Sequence, residues 1–189
     1  MPDRVENNWV HSLDIAFSSS ATPLPATPPP PIVMAYGWAR DTQDQPWTGG
    51  EQTTELISVG DTFWITIFET DQSDETKVRD DIFIKELRIS VKDEHGRQVS
   101  PFNDAGGNNK GGSWVHTRDE LPTHPPDNPN VPKVTGSRGC GVIGRSWWTP
   151  SYIVAQAGKF KITIDLVLSV GGTEKNYRVD PEVDIEGAG

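Results

Sequence analysis

Wherever this chain is regular, its apolar residues return at every second position. Lys159 to Val170 reads KFKITIDLVLSV, with Phe160, Ile162, Ile164, Leu166, Leu168 and Val170 on one face and Lys161, Thr163, Asp165 and Ser169 on the other. That period belongs to a pleated strand with one buried face; a helix would need apolar groups three and four residues apart. Gly171-Gly172 follows, a two-residue loop able to take positive φ, and TEKNYRV then alternates again through Lys175, Tyr177 and Val179, which predicts a hairpin. DIFIKELRISVK, from Asp81 to Lys92, sets Phe83, Leu87, Ile89 and Val91 on one face, with Lys85 the exception. DTFWITIFE sets Phe63, Ile65 and Ile67 opposite Trp64 and Phe68, the pattern of a strand covered on both sides. WVHSLDIAF places Trp9, His11, Leu13, Ile15 and Phe17 against Ser12, Asp14 and Ala16. No long segment carries a helical apolar stripe free of β-branched and aromatic crowding. Strands separated by Gly and Pro turns, without alternating helices, predict an all-β fold: an antiparallel two-sheet β-sandwich, Ig-like or jelly-roll in style.

Between the first strand and the rest lies ATPLPATPPPPIVMAYGW, with six prolines in the nine positions from Pro23 to Pro31. Only about twenty residues precede the prolines, too few for a core of their own, so the strand before them must pack on something else. The segment therefore reads as a stiff arm. At about 3.1 Å per residue, nine residues of polyproline reach on the order of 28 Å, enough to cross to another sheet. Residues 1–31 are expected to form the N-terminal strand and arm, and residues 32–189 a single sandwich domain. Two long loops are expected as well, NDAGGNNKGG over 103–112 and the stretch 121–145, where five prolines are followed by GSRGCGVIG.

Charge narrows the partners. The 189 residues carry 17 Lys and Arg against 27 Asp and Glu, a formal net charge of −10, which repels phosphate backbones and anionic membrane surfaces. Nucleic acid is not an expected partner, and no apolar run approaches the length of a membrane span. Seven tryptophans and 34% hydrophobic residues set the chain apart from disordered sequences. The single cysteine, Cys140, has no internal disulfide partner and no neighbour at metal or redox spacing, which favours a reducing compartment and a soluble, cytoplasmic protein.

No constellation meets the needs of catalysis. HTRDELPTHPPD gathers His116, Asp119, Glu120, His124 and Asp127, but its spacing is not that of a helical zinc site and its prolines forbid the helix. ETDQSDETKVRDD, over 69–81, is acidic but lacks the glycine and glutamate spacing of a calcium loop. No nucleophile elbow occurs, Cys140 lies between glycines without a local histidine, and GSRGCGVIGRS lacks the Lys-Ser/Thr of a phosphate loop. No enzyme, metal or cofactor is expected. The tryptophans are more informative: Trp47, beside Pro46 and Gly49-Gly50, and Trp147-Trp148, before Thr149-Pro150, stand next to turn signals, where an indole can stack on a sugar ring.

LISVGDTFWITI, GKFKITIDLVL and the closing NYRVDPEVDI together resemble the PixA/AidA-type inclusion-body family of bacteria, whose β-sandwich members carry a Gly-Asp strand opening and end on Asp-Pro and a short apolar strand. The resemblance covers about half the chain and implies an abundant, self-associating bacterial protein with no catalytic residues to transfer. The expected function is accordingly that of a non-enzymatic, self-associating structural protein, a homo-oligomer. Its N-terminal strand, through Trp9, His11, Leu13, Ile15 and Phe17, would dock on a sheet edge of its own or a neighbouring subunit. The alternative is a lectin-like module that binds carbohydrate through Trp47, Trp147 and Trp148, with calcium on the acidic loop.

Overall fold

The computed structural model describes residues 10–40, 56–69, 81–121 and 146–187. Its strands, in chain order, are β1 (Val10–Phe17), β2 (Ile32–Val33), β3 (Ala35–Arg40), β4 (Leu56–Ser58), β5 (Thr62–Glu69), β6 (Ile82–Asp93) and β7 (Phe102–Asn103). They continue with β8 (Ser113–Thr117), β9 (Ser146–Trp148), β10 (Tyr152–Val154), β11 (Gly158–Val170), β12 (Thr173–Val179) and β13 (Glu182–Glu186). One turn of 3-10 helix, Arg118–Glu120, follows β8. The fold is an all-β sandwich of two sheets.

In the first sheet the order runs β3, β1, β5, with β9 and β10 sharing the far edge of β5 and β7 beyond β10. In the second, β8, β6 and β11 lie side by side; β12 and β13 divide the other edge of β11, with β2 outside β12 and β4 outside β13. The sheets are mixed rather than purely antiparallel, because β1 runs parallel to β5, β2 to β12 and β4 to β13. Parallel neighbours need long connections, and the proline arm forms the first part of the one from β1 to β5, which passes through β2 in the other sheet.

Alternation places the core where the sequence predicts it along most strands. Phe160, Ile162, Ile164, Leu166 and Leu168 of β11 are buried, as are Phe63, Ile65 and Ile67 of β5, and Trp64 on the other face of β5 is buried too. The β11–β12 hairpin closes at Val170↔Thr173 through Gly171 and Gly172 at φ 56° and 80°, a turn that side-chain-bearing residues strain to make. Strand β6 departs from its expected phase. Its register against β11 shifts after Val167, so that Val167 faces Glu86 and Leu168 faces Ile84, leaving Lys85 as the extra residue of a bulge. Ile82 and Ile84 therefore point inward before the bulge, and Leu87, Ile89 and Val91 after it. Phe83 turns outward instead, where its ring lies 4.8 Å from the Arg118 guanidinium carbon.

Strand β1 lies inside its sheet, paired over its whole length with β5 and on its other side with β3, all within one chain. His11, Leu13, Ile15 and Phe17 are buried. The Gly60-Asp61 turn fixes the start of β5: Gly60 takes φ 99°, and Asp61 Oδ2 accepts the Ser58 N–H at 2.9 Å while lying 2.8 Å from His11 Nε2.

Candidate functional site

The arm does not hang free. Lys175 Nζ donates to the carbonyls of Ser19 and Ala21 at 2.6 and 2.8 Å, and the Tyr177 hydroxyl donates to Ser18 O at 2.9 Å. Both donors lie on β12, so the root of the arm is tied to the second sheet although β1 belongs to the first. From there residues 22–31 run exposed to β2, which adds to β12 with Ile32 opposite Tyr177 and Val33 opposite Arg178. The Met34 N–H donates to Arg178 O at 3.1 Å, after which β3 returns to the first sheet.

This path opens one flank of the sandwich where β2 and β3 part. A groove of about 420 Å³ lies there, lined by Pro31, Val33, Met34, Tyr36, Arg178 and Asp180 among others. Met34 closes its floor, and Val33 stands 85% exposed at its rim. The Arg178 guanidinium is held by Asp165 through bonds of 2.6 and 3.0 Å, a two-point pairing that, with burial opposing it, raises the Arg178 pKa. The Tyr36 phenol is pushed above its ordinary value, first by burial and then by the negative charges of Glu182 and Asp180. Asp180 also accepts the Thr163 hydroxyl at 2.6 Å.

A second polar cluster joins the sheets through the core. The Tyr152 hydroxyl of β10 receives the Trp114 indole N–H at 3.2 Å, is bonded by the Thr149 hydroxyl, and lies 2.6 Å from His116 Nε2. Thr149 accepts the Ile65 N–H, which leaves its own proton for Tyr152. With the indole N–H directed at the phenol oxygen and the Thr149 hydroxyl beside it, we assign the phenol proton to His116 Nε2 and the histidine proton to Nδ1. Burial pushes Tyr152 up to about 12 and pushes His116 below its ordinary value.

The residues singled out in the sequence scatter. Trp9, Trp47, His124, Asp127, Cys140 and residues 70–80 lie outside the described residues. Trp147, a ligand-stacking candidate beside a turn signal in the sequence, is a buried residue of β9, its ring 6.2 Å from that of Phe17, because β9 pairs with β5 and turns Trp147 to the core side beside Ile67. Trp148 is half-buried on the other face. His116 serves the inter-sheet network, and Glu120 accepts the Thr117 N–H at 2.7 Å to cap the short helical turn, a bond that leads the effects lowering its pKa. Among the described residues no three His, Cys, Asp or Glu side chains gather as metal ligands. The groove residues carry no signal of their own in the sequence, and only the returning chain makes them a flank.

Glu69 ends β5 on the core-facing row of Phe63, Ile65 and Ile67. It is 2% exposed, and among the described residues its Oε1 has no hydrogen-bond partner. A buried acceptor without a donor costs about 1–3 kcal/mol. Glu69→Met, of similar volume, should therefore raise stability by about 1–2 kcal/mol. An unchanged or lower midpoint in chemical denaturation would contradict this.

No family model matches the chain, and no curated protein matches it. Among the described residues no helix is long and apolar enough to cross a membrane.

Proposed function

We propose that the protein is a non-enzymatic structural protein that associates with copies of itself through the β2–β3 flank. The observation that carries this reading is the outer edge of β3. Strand β3 has six residues and pairs with β1 on one side, and among the described residues no strand pairs its other side. Up to Arg40, its sequence Ala-Tyr-Gly-Trp-Ala offers none of the prolines or charges that usually guard such an edge. The exposed Leu24 and Val33 add apolar surface on the chain leading to it. Two β3 edges meeting antiparallel about a two-fold axis would continue the sheet from one copy to the next.

The reading keeps the expected self-association and moves its contact surface from strand one, whose described apolar face is buried, to the flank that strand one's arm creates. The described polar clusters of the core are engaged in holding the fold: His11 with Asp61, and His116 with Tyr152. A role like that of the bacterial inclusion-body proteins, in the cytoplasm, accords with the lone cysteine and the sequence resemblance. The lectin-like alternative is weakened by the inward turn of Trp147.

The net charge of −10 opposes contact between copies, so screening by salt should favour it. Light scattering on eluting protein should give a mass above that of one chain, rising with salt and concentration. Ala35→Glu places a charge on the exposed start of β3 and should shift the population toward monomer by about tenfold or more in dissociation constant. A wild-type monomer at all concentrations and salts would refute the proposal, as would an oligomer indifferent to Ala35→Glu.

A further inference from the structure

The groove on the flank has its own chemistry, which does not require a second copy. We propose that it binds a small organic cation, an ammonium head group on an apolar body. Its volume of about 420 Å³ suits a small molecule. Its floor and near wall are apolar, formed by Pro31, Val33, Met34 and Ala35, while the Tyr36 ring supplies an aromatic face of the kind that attracts cations.

Charge decides between cation and anion. Arg178 is the cation on the lining, and its guanidinium is committed to Asp165 at two points. Asp180 lies on the lining, and Glu182 lies close enough to act on the Tyr36 phenol. Asp165 balances the guanidinium and Lys161 stands opposite Glu182 in the β11–β13 register, so Asp180 leaves a negative surplus at the ring, where both Asp180 and Glu182 act on the phenol. An anion would meet that surplus without a free guanidinium to answer it. A neutral apolar guest would leave the carboxylates unused. An ammonium head beside Tyr36 and Asp180, with its apolar body against Met34 and Val33, satisfies both parts of the lining. The charge repulsion that raises the phenol pKa is the same field that would draw the cation in.

The test is titration calorimetry of benzyltrimethylammonium chloride into the full chain at low salt, beside sodium benzoate of similar size. Saturable binding of the cation, weakened by salt and absent with benzoate, is expected. Tyr36→Leu should weaken it by about tenfold. Glu182→Gln, which alters an exposed side chain and should leave the fold intact, should weaken it about two- to fivefold. The proposal fails if benzoate binds as well as the cation, if the cation at millimolar concentration gives no heat, or if a folded Glu182→Gln variant binds like the wild type. Light scattering on the same samples separates this outcome from self-association, since a chain that stays monomeric can still bind the cation.

Discussion

Deleting residues 1–31 should leave a chain that does not fold. Strand β1 is an interior strand of its sheet: it covers β5 along eight residue pairs and is the partner of β3. Without it β3 loses its described strand partner and β5 gains an open edge. Leu13, Ile15 and Phe17 are each no more than 2% exposed, and at about 1.5–3 kcal/mol apiece their burial contributes roughly 5–9 kcal/mol gross. A domain of ordinary stability has about 5–15 kcal/mol in total, so the loss is of the same size as the whole. Leu13→Asp should act the same way, since it exchanges a fully buried side chain for an unpaired charge, whereas Leu13→Ala should cost about 2–5 kcal/mol and leave a folded, weakened protein. Circular dichroism and thermal melting of the purified variants would report this. A truncated protein that is soluble and melts cooperatively at the wild-type temperature would overturn the placement of β1 in the core.

How much of this was legible in the sequence depends on the range of the interaction. The period-two rows of β5, β11 and β12 are local facts, and the core is read from them directly, together with the Gly171-Gly172 turn. The β6 bulge was also present in the sequence, as the one lysine interrupting an apolar row, but an interruption can be a surface residue at a strand end or a bulge that reverses every side chain beyond it. Only the partner strand decides, and β11 puts Ile84, not Phe83, on the inside. Pairing direction was not legible at all. Nothing in WVHSLDIAF tells that its neighbour β5 runs parallel, because that depends on where the arm delivers the chain. Nor did the tryptophans at 147 and 148 reveal that they sit in a strand: three residues beside a proline read as a turn, and their pairing with β5 is a long-range event. The groove escaped for the same reason. Its walls come from 31–36 and 178–180, which the sequence separates by most of its length.

The Tyr152 cluster carries the second large expectation, and its pH dependence follows from where its protons sit. Tyr152→Phe removes the acceptor of Trp114 and Thr149 and the donor to His116 at once, leaving buried polar groups that each cost about 1–3 kcal/mol when orphaned. Allowing for local relaxation, the variant should lose on the order of 3 kcal/mol. The wild type should also weaken in acid. In the folded protein Tyr152 donates to His116 Nε2, so protonating that nitrogen would set two donors against each other. Desolvation is the leading cause that lowers the His116 pKa, and Lys110 adds to it while Glu120 opposes it. The unfolded chain takes up the proton at the ordinary value of 6.5, whereas the folded chain does so only at lower pH. Below that value the unfolded state therefore holds more protons, and stability falls as pH drops from about 6.5 toward the folded pKa, by at most about 1.4 kcal/mol per pH unit for one proton. Above it His116 contributes no slope, and Tyr152, at about 12, stays protonated throughout. His116→Gln keeps an acceptor for the phenol but does not titrate, so its denaturation midpoints from pH 8 to pH 5 should fall less steeply than those of the wild type. The difference between the two curves is the quantity to read, since it isolates the His116 proton. Parallel curves would mean that His116 is as easily protonated in the fold as outside it, and that the phenol proton does not lie toward the imidazole.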